Sequence, residues 1–80
     1  MRTLITIRKR GAGYVIDAAL PFGGSYAGRQ CGLSPYEAAT TAARAMSAYA
    51  DLNKDGCDLM APPEVIKLVP EAWRNVPAKS

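Results

Sequence analysis

The chain has 80 residues, of which 49% are hydrophobic and 21% are charged, and its formal net charge is +3. This length leaves room for one hydrophobic core, and this balance is typical of a globular domain rather than of a disordered tail. The chain contains no histidine, which excludes the commonest general base, the commonest transition-metal ligand and every Ser–His or Cys–His nucleophile.

The first elements along the chain form a predicted β-hairpin. Residues 3–8 alternate with a period of two and are rich in β-branched side chains, so we expect a strand with Ile5 and Ile7 buried. Two glycines within residues 11–13 predict a turn, because glycine accepts positive φ. Residues 14–20 then predict the second strand of the hairpin.

A third strand is predicted at residues 25–31, after a break rich in proline and glycine at residues 21–24. The pattern leaves open which face of this strand points inward. One face carries Tyr26, Gly28 and Gln30, and the other carries Ala27, Arg29 and Cys31. Tyr26 and Phe22 stand beside flexible glycines, which makes them candidates for exposed aromatic binding anchors.

A helix is predicted at residues 35–52. Ser34 and Glu37 form a capping box, in which the Ser34 oxygen accepts from the Glu37 amide and the Glu37 carboxylate accepts from the Ser34 amide. Pro35 suits the first helical position, where no amide donor is required. The alanine-rich apolar stripe predicts close packing of the helix on a sheet. The stripe consists of Ala38, Ala39, Ala42, Ala45, Met46, Tyr49 and Leu52.

The remaining residues complete a predicted β-β-β-α-β order. Residues 53–56 have turn chemistry, and residues 65–69 are interpreted as a fourth strand, with a helical turn at 64–68 as the open alternative. We therefore predict an α+β fold in which one alanine-rich helix packs on one face of a small antiparallel sheet. Residues 1–76 form a single binding domain in this prediction, and residues 77–80 form a frayed tail.

One segment resembles half of a calcium-binding loop. Residues 51–56 place oxygen ligands at positions one, three and five before a glycine. The second half of the loop does not match, because its twelfth position is Pro62, where a bidentate glutamate is required. We expect a solvated turn that ends the helix, and we expect no metal and no cofactor, although calcium binding by this turn stays open.

The predicted location is the cytosol. No apolar run approaches the roughly 20 residues that cross a bilayer, and residues 1–10 lack the apolar stretch of a signal peptide. In that reducing compartment Cys31 and Cys57, which do not form a C-x-x-C pair, should be free thiols, with a disulfide as the alternative. We therefore expect a cytoplasmic protein without membrane contact.

Binding rather than catalysis is the expected activity. The carboxylates are scattered, so their spacing predicts no catalytic pair, and we expect no enzyme. The mild positive charge suits an anionic partner surface, but direct binding of nucleic acid is not expected at this charge density. The candidate partner-binding residues are Arg8, Lys9, Arg10, Tyr26 and Arg29. The alternative for the basic residues is a solvated hairpin tip.

Two stretches resemble small phage-encoded anti-CRISPR proteins that inhibit type I systems. The first runs from Ser34-Pro35 through the alanines to Ala45-Met46, and the second is residues 65–71, interpreted as a late strand that runs into Pro-Glu. The resemblance implies a non-enzymatic inhibitor in the cytoplasm of a host bacterium. Such an inhibitor binds a subunit of the CRISPR surveillance complex, Cascade, and blocks target-DNA binding. It would be a monomer or a weak homodimer, the latter through an exposed third strand.

A second resemblance is to the N-terminal domain of HicB-type antitoxins. It is carried by Gly13-Tyr14-Val15-Ile16-Asp17, by Leu20-Pro21 and by the helix that contains Glu37. It implies an antitoxin-like or small RNA-binding module, which would capture a small basic toxin or RNA. The resemblance covers the N-terminal domain of such antitoxins and not the C-terminal DNA-binding segment that many of them carry, and a shared fold does not fix a shared function.

Overall fold

The computed structural model describes residues 1–21 and 25–78. Its elements in chain order are β1 (Thr3–Arg10), β2 (Gly13–Ala19), β3 (Ser25–Gly32), α1 (Pro35–Leu52), β4 (Cys57–Met60), α2 (Pro63–Ile66), a 3₁₀ turn (Glu71–Trp73) and β5 (Asn75–Val76). The strands form one sheet in the order β3-β2-β1-β4-β5, and α1 packs on one face of it. The predicted α+β class and the β-β-β-α-β order are confirmed.

The sheet is mixed rather than antiparallel throughout. β1 pairs antiparallel with β2 but parallel with β4, with Ile5 opposite Leu59 in the parallel pair. Helix α1 causes this arrangement, because it carries the chain across the sheet and returns it to the end where β1 begins. The helix therefore acts as a crossover connection, which simple strand counting did not reveal.

The predicted strand at residues 65–69 is wrong, and the helical alternative is right. Pro63–Ile66 is a short helix with proline at its start, because proline has the backbone angle that a first helical turn needs. Val65 and Val69 are fully or almost fully buried, so the apolar pattern signalled burial and not extension. The fourth strand is Cys57–Met60. Four residues are too few for the alternation of side chains to distinguish a strand from a helix.

The core lies between the sheet and α1. Ile5 and Ile7 are buried as predicted, and they face the buried residues of the helix. The buried helical residues are Ala38, Ala39, Ala42, Met46 and Ala50. The end of the predicted apolar stripe is different, because Leu52 is 65% exposed. The helix thus covers the centre of the sheet with small side chains, while the Leu52 side chain in its last turn stays outside that core.

Of the two hydrogen bonds predicted for the start of α1, one is present and the other has a different donor. Ser34 Oγ accepts a hydrogen bond from the Glu37 amide at 3.2 Å, which is the expected cap. The Glu37 carboxylate accepts from the Ser34 hydroxyl, also at 3.2 Å, and not from the Ser34 amide. The two side chains therefore bind each other directly at the helix start.

Candidate binding surfaces

Arg8 is held within the sheet by Asp17. Arg8 Nε donates to Asp17 Oδ2 at 2.6 Å and Arg8 Nη2 donates to Asp17 Oδ1 at 3.2 Å. The hydrogen bond from Arg8, and after it the one from the Gly28 amide, lowers the pKa of Asp17. Both of the Asp17 oxygens are occupied, so Arg8 supports the fold at this point as well as adding charge to the surface.

A bulge in β3 brings a third strand into the same cluster. The register between β2 and β3 shifts opposite Asp17, and Gly28, on the bulged strand, has φ of +71°. Its amide donates to Asp17 Oδ1 at 2.7 Å. A Cβ added at Gly28 would lie 3.5 Å from Arg10 Nη1, so the Arg10 side chain reaches across the sheet to β3.

The end of the β1–β2 hairpin carries two cations that the fold does not neutralise. Lys9 and Arg10 are exposed, and within the described part of the chain neither has an ion pair or hydrogen bond from its side chain. Lys9 lies opposite Tyr14 and Arg10 lies opposite Gly13 in the hairpin register. Because opposite residues share a face, Lys9 is on the helix side of the sheet and Arg10 is on the open side. We call these two residues the cationic tip.

Arg29 lies apart from the other candidate residues. It is the register partner of Ile16, which belongs to the core, so Arg29 is on the side of the sheet that α1 covers. The backbone of Tyr26 pairs with that of Ala18, but its side chain, like Phe22, lies outside the described residues. The structure brings Arg8 and Arg10 to one face and places Arg29 on the opposite one.

The described carboxylates are mostly engaged within the fold. Five accept hydrogen bonds or form ion pairs with named partners: Asp17, Glu37, Asp55, Asp58 and Glu64. Several cations have no such partner among the described residues: Lys9, Arg10, Arg44, Lys54 and Lys67. The charge that the surface offers to a partner is therefore mainly positive.

Arg2 forms an ion-paired cluster that sequence analysis missed. Its guanidinium donates to both oxygens of Asp58, at 2.8 and 3.0 Å, and also to the Val76 carbonyl at 2.8 Å. Asn75 donates to the same Asp58 carboxylate. The hydrogen bond from Arg2 lowers the pKa of Asp58. No local pattern predicts this cluster, because Arg2 is separated from Asp58 by 56 positions along the chain.

The turn that resembled half of a calcium loop has a structural role. Asn53 Oδ1 accepts from the Asp55 amide at 3.0 Å, and its Nδ2 donates to the Met1 carbonyl and to Thr3 Oγ1. The Asp55 carboxylate pairs with the amino group of Met1 at 2.6 Å. Within residues 1–21 and 25–78, no group of three potential metal ligands is close enough to hold an ion.

Both cysteines are buried free thiols. Burial raises the pKa of Cys31, and burial followed by the Asp58 charge raises that of Cys57. Cys57 Sγ lies 3.2 Å from Met46 Sδ inside the core. These thiols therefore stay protonated at neutral pH, and they act as small apolar side chains in packing.

In addition to the cationic tip, two other surfaces of the protein are accessible to a partner. The sheet face away from α1 exposes Leu4 and Met60, which are 36% and 60% accessible. On the other side, an open groove of about 550 Å³ runs between β3 and α1. Arg29 and Gln30 line it from the strand, and the outer flank of the helix lines it from above.

Comparison with known protein families and with curated proteins finds no match to this chain. In the described residues, no helix has both the length and the apolar character needed to cross a membrane.

Proposed function

We propose that this protein is a non-enzymatic inhibitor that binds a type I CRISPR surveillance complex in the cytoplasm of a host bacterium and blocks its binding of target DNA. The contact is made by the cationic tip and by the adjoining open face of the sheet. The inhibitor acts as a monomer with one copy bound per contacted subunit. Blocking is steric, so inhibition follows occupancy and involves no turnover.

The observation that carries this proposal is the positive charge of the cationic tip. Lys9 and Arg10 have no described counter-ion, whereas most described carboxylates are engaged within the fold. Such a surface favours an acidic partner surface through complementary charge and faster association. The tip also lies at the end of a paired hairpin, so binding does not require the backbone there to become ordered.

The resemblance to anti-CRISPR proteins now rests on one of its two stretches. The helix start at Ser34-Pro35 and the alanine-rich helix are present. The second stretch, residues 65–71, contains a short helix where that resemblance implied a strand. The proposal therefore depends on the charge of the surface more than on the resemblance.

A titration of the effector complex tests the proposal. Purified protein is added to a type I complex with fluorescent target DNA, and DNA binding should fall to zero at a fixed stoichiometric ratio. Lys9→Glu combined with Arg10→Glu should weaken inhibition at least about tenfold, because two attractive contacts become repulsive. Lys54→Glu combined with Lys67→Glu makes the same change in net charge elsewhere and should inhibit normally. Unchanged DNA binding with no co-elution would end the proposal.

A second candidate function is an antitoxin-like or RNA-binding module. The specific observation in its favour is that the structure contains the elements that carry this resemblance. Strand β2 begins at Gly13 and ends at Ala19, just before Leu20-Pro21, and β3 leads into the capped helix. The cationic tip suits RNA better than a small basic toxin, because like charges repel.

RNA binding is tested by its salt dependence. If RNA contacts the tip, the logarithm of affinity should fall linearly with the logarithm of salt concentration. Lys9→Ala combined with Arg10→Ala should make that slope shallower by about 1.4, since each phosphate contact on single-stranded RNA contributes roughly 0.7. A slope that these substitutions leave unchanged, or no RNA binding at low salt, would exclude this candidate.

A further inference from the structure

The sheet face away from α1 is uneven, because long side chains cover it near the hairpin turn and small ones line it toward the start of β1. Val15 points to this face and is only 6% exposed. The residues opposite it in the register are Arg8 on β1 and Gln30 on β3, and their side chains lie on the same face and shield it. Beyond these side chains the surface is recessed.

A hollow of about 410 Å³ occupies the recessed part of this face. The side chains on this face that line it are Leu4, Thr6, Asp17, Ala19, Ser25 and Ala27. They belong to β1, β2 and β3, which are paired with one another, so the backbone fixes the floor of the hollow. We call it the open-face hollow, and its size suits one large side chain of a partner.

Two hydroxyl groups of the open-face hollow are available to a partner. Thr6 and Ser25 form no side-chain hydrogen bond with the described part of the chain. The oxygens of Asp17 already accept from Arg8 and from the Gly28 amide. An apolar floor with free hydroxyls suits tyrosine or tryptophan, because the ring buries apolar area while its O–H or N–H needs a hydrogen-bond partner.

One rim of the open-face hollow carries a cation that the fold does not neutralise. Arg10 Nη1 lies 3.5 Å from the position of a Cβ added at Gly28, which follows Ala27 of the lining. Arg8 and Asp17 pair with each other at this rim. Arg10 has no hydrogen bond or ion pair from its side chain within residues 1–21 and 25–78. A carboxylate beside the bound ring would therefore complement the charge of this rim.

We propose that the open-face hollow binds a tyrosine or tryptophan side chain of a partner protein, which carries carboxylates next to that residue. The ring lies on Ala19 and Ala27, its polar tip donates to the hydroxyl of Thr6 or Ser25, and the carboxylate accepts from Arg10. This inference rests on the proposed function, since it names the feature of the partner that the open face of the sheet recognises.

A synthetic peptide tests the inference directly. The probe is a capped heptapeptide, Ser-Gly-Trp-Glu-Glu-Gly-Ser. Titration into the ¹⁵N-labelled protein should shift amide signals of residues 4–6, 17–19 and 25–28 and leave those of residues 41–52 in place. The same peptide with alanine in place of tryptophan, or with lysine in place of both glutamates, should bind at least about tenfold more weakly.

Two variants of the protein examine the hollow itself. Ala27→Phe fills it and should weaken peptide binding at least about tenfold. Ala48→Phe makes the same change at an exposed position of α1 and should bind like the wild type. Thr6→Val removes a hydroxyl at nearly constant shape and should weaken binding about fivefold. The dispersion of the amide signals shows that each variant is folded.

The same variants separate this inference from the proposed function. In the titration of the effector complex, Ala27→Phe should raise the concentration needed for inhibition at least about tenfold. Inhibition that depends on Lys9 and Arg10 but ignores Ala27→Phe would overturn the inference and leave the proposed function standing. Peptide binding in the hollow without inhibition would support the inference and contradict the proposed function. Equal binding of the tryptophan and alanine peptides, or self-association through the open face, would overturn the inference.

Discussion

Asp17 joins three strands through a single carboxylate. Its oxygens accept from Arg8 on β1 and from the Gly28 amide on β3, while its own backbone belongs to β2. The carboxylate therefore fixes the position of the β3 bulge relative to the hairpin. The period-two alternation of β2 places Asp17 on the face away from Ile16 and Ala18, but it cannot reveal Gly28 as a partner, because bulges have no reliable local signature.

Asp17 should make stability depend on pH in the acidic range. Its pKa is lowered in the folded protein, so its stabilising effect is complete above the unfolded value of about 3.9 and is lost as the pH falls through the folded value. The pKa values of Asp55 and Asp58 are lowered too, so the melting temperature should decrease below about pH 4.

The Asp17→Asn variant isolates the contribution of this one group. It should melt several degrees below the wild type at pH 7, and the difference should shrink as the pH falls through the folded-state pKa of the wild-type carboxylate, which is then protonated as well. Glu71→Gln, at an exposed position whose side chain has no hydrogen bond or ion pair with the described residues, serves as the control. A constant difference between Asp17→Asn and wild type across the whole range would show that charge is not involved.

At the scale of single elements, α1 is defined by how closely it approaches the sheet. Ala38 and Ala42 are fully buried, and with Met46 they form the contact with the strands. Small side chains at these positions allow the helix axis to lie near β1. The sequence predicted this element well, because its cap, its periodicity and its composition all favour a helix.

Enlarging one of these alanines should push the helix away from the sheet. Ala42→Leu should reduce the free energy of unfolding by about 1–3 kcal/mol, since overpacking forces side chains out of preferred rotamers. Ala48→Leu, on the exposed flank of the same helix, should change it by less than about 0.5 kcal/mol. Urea denaturation of both variants measures the difference, and equal effects would disprove the close-packing argument.

Across the whole molecule, the distant contacts of the N-terminal segment are what the sequence could not show. Asn53 is 7% exposed and binds Met1 and Thr3, and Arg2 binds the Asp58 carboxylate. Each of these contacts joins residues at least 50 positions apart. Local periodicity predicts elements, and it carries no information on which distant polar groups meet.

Asn53 should be the most sensitive polar residue of this region. Asn53→Ala should lower the free energy of unfolding by about 1–3 kcal/mol, because the buried Thr3 hydroxyl and nearby backbone groups lose a partner. Lys54→Ala, at the exposed neighbouring position, should have an effect below about 0.5 kcal/mol. Thermal or urea unfolding measures both, and a neutral Asn53→Ala would show that water replaces these contacts at no cost.

At the candidate site too, features set by local sequence were predicted, and features set by contacts between distant residues were missed. The turn that follows Lys9 and Arg10 was predicted correctly, because its glycines are a local signal, and the binding role of these two residues stays a prediction. The position of Arg29 on the helix side of the sheet was left open, because the bulge at Gly28 interrupts the alternation that would have fixed it. The groove between β3 and α1 could not be foreseen, because it depends on how the helix packs against the sheet.

The position of β1 between β2 and β4 has a consequence for the order of folding. Its antiparallel neighbour follows after a short turn, whereas its parallel neighbour becomes available only after α1. Closing the longer loop costs more chain entropy, so the three-stranded meander forms early and the docking of β4 is the late step. Until β4 pairs with it, β1 is an edge strand with unpaired backbone groups. A polypeptide that stops before β4 would therefore aggregate through that edge.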